Sequence, residues 1–97
     1  MKAKLLFRLK LNYPDGGIAE LVAWDIPVDF KYPDGIRYRF AFIPEGHSRP
    51  AVLYDNHHPK GHHKHHDGRE SESSFLDLWS LTKEFKADIG RWLKRAR

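Results

Sequence analysis

The first half of the chain alternates between apolar and polar residues. Over residues 3–13 the apolar side chains occupy the odd positions from Leu5 to Tyr13, and basic or polar residues occupy most positions between them. A period of two is typical of a β-strand that buries one face. Further apolar runs over residues 18–28, 36–43 and 51–54 are separated by turns rich in proline, aspartate and glycine. The pattern therefore predicts an antiparallel meander over about residues 3–54.

The connection between the first two strands predicts how they pair. If Pro14–Gly17 forms the loop, Phe7 lies opposite Trp24, and the apolar residues of both strands share one face. A shift of one residue would move every side chain of a strand to the other face. The same register places Glu20 on the buried face, where an unpaired carboxylate is costly. We therefore expect a bulge that turns Glu20 outward, or else a cation or histidine beside it.

A helix is predicted at the end of the chain, over about residues 75–96. Its apolar residues recur at steps of three and four and form one stripe: Leu78, Leu81, Phe85, Ile89 and Trp92. Ser74, followed by Asp77, suits the start of this helix. Packing of the stripe across the sheet predicts an α+β fold, in which a C-terminal helix covers one face of an antiparallel β-meander of three to five strands.

Length and composition limit the classes of protein. Ninety-seven residues suit a single domain, over residues 1–97, with one small core. The absence of cysteine excludes disulfides and zinc sites with thiolate ligands. Because no apolar run resembles a signal peptide or a membrane-spanning helix, we expect a cytoplasmic protein with no membrane partner. A net charge of +4 favours polyanionic partners such as nucleic acid or an acidic protein.

One face of the predicted sheet is basic. The residues that should lie on it are Lys4, Arg8, Lys10, Arg37 and Arg39. Cations spread over a sheet can contact phosphates without reading a base sequence, which makes these residues candidates for nucleic-acid binding. The alternative is an ordinary solvated face. Stacking aromatic residues are missing from it, which counts against the RNA platforms that hold bases on a sheet.

Six of the seven histidines fall between residues 57 and 66, inside a polar segment predicted as a loop over residues 55–72, with a short strand around residues 63–66. Imidazole is the side chain that ionises closest to neutral pH, so it can donate or accept a proton or bind a metal. Asp55, Lys60 and Glu70 stand close to the histidines in the sequence. The cluster therefore indicates a functional site, and the alternative is a polar loop without chemistry.

The histidine segment and its neighbours resemble the TumE family of toxin–antitoxin proteins. The resemblance rests on Tyr54-Asp55-Asn56, then Lys60-Gly61-His62-His63-Lys64-His65, then Gly68-Arg69-Glu70, and in the helix on Phe85 and Asp88. It covers nearly the whole chain. Two features depart from the family pattern: His62 replaces an acidic residue, and His57, His58 and His66 are additional. The resemblance implies a small cytoplasmic toxin encoded beside a helix-turn-helix antitoxin, and it implies no particular reaction.

Three functions of the segment stay open. In the first, His63 and His65 lie on one side of an extended segment and act on RNA as general base and general acid. Lys60 would then stabilise the phosphate charge, and Asp55 or Glu70 would orient a histidine. In the second, His63 and His65 bind a divalent metal together with Asp55 or Glu70. In the third, the loop binds a protein or nucleic acid without catalysis and needs no cofactor.

Overall fold

The computed structural model describes residues 3–96. Along the chain it has strands β1 (Lys4–Asn12), β2 (Ile18–Asp25), β3 (Ile36–Ile43), β4 (Val52–Asp55), β5 (His63–His66) and β6 (Arg69–Glu72), followed by helix α1 (Leu78–Arg95). The strands form one antiparallel sheet in chain order, from β1 to β6. The predicted α+β meander with a C-terminal helix is confirmed, with six strands instead of three to five.

The last two strands come from the segment that was predicted as a polar loop with a short strand around residues 63–66. Strand β5 is that strand, and β6 was not predicted. A two-residue turn joins β5 to β6, and both of its residues have positive φ, 52° at Asp67 and 85° at Gly68. This is the backbone of a tight hairpin turn, for which Asp-Gly is among the preferred sequences. Trp92 of α1 donates a hydrogen bond from Nε1 to Asp67 Oδ1 at 2.8 Å. The helix therefore holds the turn of this hairpin.

Aromatic residues dominate the core between the sheet and α1. Phe40, at the centre of β3, lies 6.1 Å from Phe7 and 5.6 Å from Phe85 between ring centroids. Phe85 also packs against Tyr54, at 5.1 Å. Phe40, Tyr54 and Phe85 are fully buried, and burial of an aromatic side chain of this size contributes about 2–3 kcal/mol. The predicted packing of the helical stripe on the sheet is confirmed where Phe85 meets Phe40 of β3, and Phe7 of β1 packs on the same Phe40 ring.

The pairing of β1 with β2 differs by one residue from the prediction. Phe7 lies opposite Ala23 and not opposite Trp24. The connection is one residue shorter than expected, because the Tyr13 N–H donates to the Gly17 carbonyl at 2.8 Å, so Tyr13 lies opposite Gly17 and only residues 14–16 form the loop. The shift turns Glu20 to the face of the sheet away from α1, where it is exposed. No bulge at Glu20 is needed for this.

Helix α1 begins three residues later than predicted. Its N-cap is Asp77, whose Oδ1 accepts the Ser80 backbone N–H at 2.7 Å, and Ser74 precedes the helix. A carboxylate at this position takes one of the free N–H groups and favours the positive end of the helix dipole. No helix among residues 3–96 is long and apolar enough to cross a membrane.

Candidate functional site

Strand β5 divides the histidine segment between the two faces of the sheet. Successive side chains of a strand point to opposite faces. Lys64 and His66 therefore point to the helix face, which is the face that α1 covers, and both reach residues of α1. His63 and His65 point to the other side, which we call the open face. The sheet therefore separates the predicted pair, His63 and His65, from Lys64 and His66.

A chain of contacts on the open face links four of the five predicted catalytic residues. The rings of His63 and His65 lie 5.1 Å apart at 75°. Glu70, which pairs with His65 across the sheet, has its Oε1 3.7 Å from His65 Nε2 and 2.7 Å from Lys60 Nζ. The hydrogen bond from Lys60 lowers the pKa of Glu70. Glu70 is thus a charged acceptor shared by Lys60 and His65.

The proton on His63 is assigned by its surroundings. Its Nδ1 lies 2.8 Å from the Gly61 carbonyl oxygen. A carbonyl oxygen only accepts hydrogen bonds, so Nδ1 carries a proton, and in the neutral ring Nε2 keeps its lone pair. The ring is buried, with 6% of the residue exposed. His63 therefore has the tautomer that a general base needs, and a substrate has limited access to its ring.

Asp55, the fifth predicted residue, lies directly opposite His63 on β4. Its Oδ1 accepts the backbone N–H of His57 at 2.7 Å. This bond fixes the start of the turn that leads to Lys60, whose N–H donates to the His57 carbonyl. Asp55 therefore shapes the turn that presents Lys60, and its observed hydrogen bond orients a backbone group and no histidine ring.

The basic residues predicted for one face are divided. Arg8 and Arg39 lie in the same cross-strand row as Asp55 and His63, on the open face, and Lys10 lies in the row of His65. Arg37 is on the same face, where it donates to His57 Nδ1 at 2.8 Å.

Lys4 is the one predicted basic residue that does not lie on the open face. An irregularity between Leu5 and Phe7 reverses the alternation, so that Lys4 pairs with Asp25 and lies on the helix face.

A second cluster, on the helix face, was not predicted. Asp88 of α1 accepts hydrogen bonds from the hydroxyl of Tyr54, from His66 Nε2 at 2.9 Å and from Arg91. Burial raises the pKa of Asp88, but these three hydrogen bonds outweigh it, and the net pKa is lowered. Burial and the bond to Asp88 raise the pKa of Tyr54. Asp88 is therefore a charged group that ties α1 to β4 and β5.

Two more residues of the segment have structural contacts. Asn56 accepts the Tyr38 N–H at 2.9 Å and donates to the Ile36 carbonyl at 2.8 Å, which fastens it to β3. His62 stacks on Phe75 at 4.9 Å and lies 2.7 Å from Asp34 through Nε2. These contacts account for Asn56 and His62 without a role in chemistry.

A groove runs between β6 and the C-terminal part of α1. It has a volume of about 810 Å3, and its lining residues are His66, Arg69, Glu70, Ser71, Asp88, Arg91, Lys94 and Arg95. Sequence reasoning missed it, because cations at a helix end are ordinary partners of the helix dipole. Arg69 of β6 lies beside the cations of the helix end, and together they form one basic surface.

The metal alternative lacks a complete ligand set in this arrangement. Across residues 3–96, no three histidine, aspartate or glutamate side chains converge so that they could hold a metal ion. His63 and His65 are adjacent, but Glu70 is engaged by Lys60.

The fold and these clusters define a small basic α+β protein with ionisable residues concentrated around β5 and β6. Its sequence matches the family model described as Toxin TumE over residues 2–93, so the chain belongs to the TumE toxin family. It is therefore the toxin component of a toxin–antitoxin system, and its partner is an antitoxin. Neither the comparison with curated proteins nor that with solved structures gave a match.

Proposed function

We propose that this toxin acts on RNA and cleaves its backbone by general acid–base catalysis at the His63–His65 pair. The observation that carries the proposal is the convergence of His63, His65 and Lys60 on the open face, with Glu70 between the last two. In this proposal the protein acts in the cytoplasm, and a helix-turn-helix antitoxin inhibits it.

The reaction assigns one proton transfer to each imidazole. His63 Nε2 takes the proton of a ribose 2′-hydroxyl, the 2′-oxygen attacks the adjacent phosphorus, and His65 gives a proton to the departing 5′-oxygen. The products are a 2′,3′-cyclic phosphate and a 5′-hydroxyl. The tautomer of His63 supports its role as base, and the carboxylate of Glu70 lies 3.7 Å from His65 Nε2, where it can orient the ring of the proposed acid. Each transfer typically contributes about 10²–10⁴-fold.

Lys60 is the proposed phosphate cation. Its side chain is more than half exposed, and its ammonium group is paired with Glu70 at 2.7 Å. A phosphate that enters beside His65 would compete with Glu70 for Lys60, and the cation would then stabilise the charge of the pentavalent transition state. The open-face cations Arg8, Lys10, Arg37 and Arg39 would hold the flanking backbone.

The test uses purified protein and an end-labelled single-stranded RNA, with growth arrest on expression as the cellular readout. His63→Ala and His65→Ala should each remove most cleavage, and the double change should add little, because groups that act as a unit are not additive. His57→Ala and His58→Ala are matched controls in the same segment and should keep activity. Activity should follow a bell-shaped pH profile with both limbs near neutrality.

Two results would contradict the proposal. If chelation by EDTA removes cleavage and a divalent ion restores it, the metal alternative is favoured. If folded His63→Ala and His65→Ala variants keep both toxicity and RNA cleavage, the pair is not catalytic. The alternative in which the segment binds a protein or nucleic acid without catalysis is favoured in that case.

A further inference from the structure

The groove between β6 and α1 is basic on both walls. Arg69 and Ser71 come from β6 and His66 from the neighbouring β5, while Arg91, Lys94 and Arg95 come from the last two turns of α1. Four of these side chains carry a permanent positive charge. We propose that this groove binds the phosphate backbone of the single-stranded RNA on which the toxin acts, so the inference rests on the function proposed above.

The negative groups of the groove are already neutralised. Asp88 accepts three hydrogen bonds, two of them from Arg91 and His66, and Glu70 is paired with Lys60. The C-terminal end of a helix adds only about half a negative charge. Arg69, Lys94 and Arg95 are exposed and form no ion pair within residues 3–96. The surface that they present therefore attracts anions.

The buried part of the network gives the groove a rigid floor. Asp88 is 8% exposed and fixes both Arg91 and His66. A guanidinium held in one orientation can present its remaining N–H donors to phosphate oxygens with a smaller loss of conformational entropy than a free side chain. Arg91 thus acts as a fixed contact for one phosphate. The three exposed cations Arg69, Lys94 and Arg95 would contact other phosphates of the RNA strand.

The groove and the His63–His65 pair lie on either side of the same edge strand. Glu70 of β6 lines the groove and also contacts Lys60 and His65 on the open face. Because β6 is the last strand of the sheet, an RNA strand can pass around its edge. The groove would then hold the nucleotides on one side of the cleaved bond. An acidic protein segment is the other anion of this size, but the lining offers mainly charged side chains and few apolar anchors.

The test measures binding separately from cleavage. A fluorescein-labelled single-stranded RNA of mixed sequence, fully 2′-O-methylated, lacks the attacking hydroxyl, and its anisotropy reports affinity. The groove variant combines Arg69→Ala, Lys94→Ala and Arg95→Ala. The control variant combines Arg49→Ala, Lys83→Ala and Lys86→Ala, three exposed cations outside the groove. Both variants lose the same net charge, and circular dichroism checks their folding.

The groove variant should weaken binding by about tenfold or more, and the control by about twofold or less. The slope of log K against log salt should fall by about two, since each lost phosphate contact removes about 0.7 for a single strand. Equal effects in groove and control variants would overturn the inference, as would a groove variant that keeps RNA affinity and loses only its antitoxin.

These measurements distinguish the two proposals. A parent protein that binds the probe through the groove but cleaves no unmodified RNA would contradict the catalytic proposal and support the groove. If the parent protein cleaves RNA but the groove variant binds the probe as well as the control variant does, the catalytic proposal is supported and the groove is contradicted. If the parent protein neither binds the probe nor cleaves unmodified RNA, both proposals are wrong.

Discussion

Replacing the buried carboxylate of Asp88 should be one of the most damaging conservative changes in the chain. Asp88→Asn keeps the shape of the side chain and removes its charge. The remaining oxygen, in the place of Oδ2, can still accept from Tyr54 and His66, but the new NH2 group, in the place of Oδ1, faces an N–H donor of Arg91. Hydrogen bonds to a charged group contribute about 1.5–3 kcal/mol each, and the loss of one buried partner leaves others unsatisfied.

We expect Asp88→Asn to lower the free energy of unfolding by about 3 kcal/mol. A domain of this length has a stability of roughly 5–15 kcal/mol, so the change removes a large part of it. Tyr54→Phe removes one donor and should cost about 1 kcal/mol. If the Tyr54–Asp88 bond is responsible, the double variant should be less destabilised than the sum of the two single changes.

Urea unfolding followed by tryptophan fluorescence measures these differences. Trp92 reports on the site, because it packs on Phe42 at 5.8 Å and bonds to Asp67. The matched control is Glu20→Gln, another acid-to-amide change. Glu20 is half exposed and lies 3.9 Å from Arg8, and such surface pairs contribute little. A loss below about 0.5 kcal/mol in Asp88→Asn, or one equal to that of Glu20→Gln, would refute the structural role.

The pH dependence gives a second check on the same residue. The folded state lowers the pKa of Asp88 relative to the unfolded chain. A carboxyl of this kind stabilises the fold fully above its unfolded pKa, near 4, and this stabilisation is lost as the pH falls through the lower, folded value. The difference between the parent protein and Asp88→Asn should therefore be full at pH 6 and shrink below about pH 4. A difference that stays constant down to pH 3 would contradict the assignment.

Three further predictions test the fold and the function. Phe85→Ala, at the centre of the core, should lower the free energy of unfolding in urea by about 3–5 kcal/mol. Its control Trp79→Ala, on the exposed side of α1, should change stability by less than about 0.5 kcal/mol. Similar losses in both variants would refute the packing. Gly90→Ala should stabilise the protein by about 0.5–1 kcal/mol, because a Cβ there meets open space in a helix. Gly68→Ala, at φ 85°, should destabilise the protein by about 1 kcal/mol, and effects of the same sign in these two variants would contradict the backbone description. Expression of the toxin alone should arrest growth and co-expression of its antitoxin should relieve the arrest, and unaffected growth at high levels of folded protein would count against the toxin activity.

The pattern of single residues predicted some elements and missed others for physical reasons. Alternation predicted β1 to β4, and the stripe that includes Leu81, Phe85 and Ile89 predicted α1. A short strand around residues 63–66 was expected and corresponds to β5. Its partner β6, and with it the hairpin, was missed because the residues are polar on both faces, so no alternation of hydrophobicity marks them. Asp67-Gly68 was the available signal, since this dipeptide favours a tight turn between paired strands.

The register of β1 against β2 could not be predicted from the pattern of apolar residues in each strand. Both candidate registers bury apolar residues, and they differ in whether Val22 and Trp24 or Leu21 and Ala23 face the helix. The small side chains of Ala19 and Ala23 leave room for the large rings of Phe7 and Phe42 beneath α1. That choice depends on volume in the assembled core, which the periodicity of one strand does not contain.

By itself, the sequence determined the toxin family, the order of the strands, the terminal helix and the presence of a histidine cluster. The tertiary structure decided which ionisable groups meet. It placed His63 and His65 with Lys60 and Glu70 on one face, and it buried Asp88 against Tyr54 and His66 on the other. Local propensities depend on neighbours along the chain, whereas hydrogen bonds and ion pairs between strands and helix depend on register and packing. The groove beside Arg69 and Arg91 exists for the same reason, because its two walls come from separate elements that only the folded chain brings together.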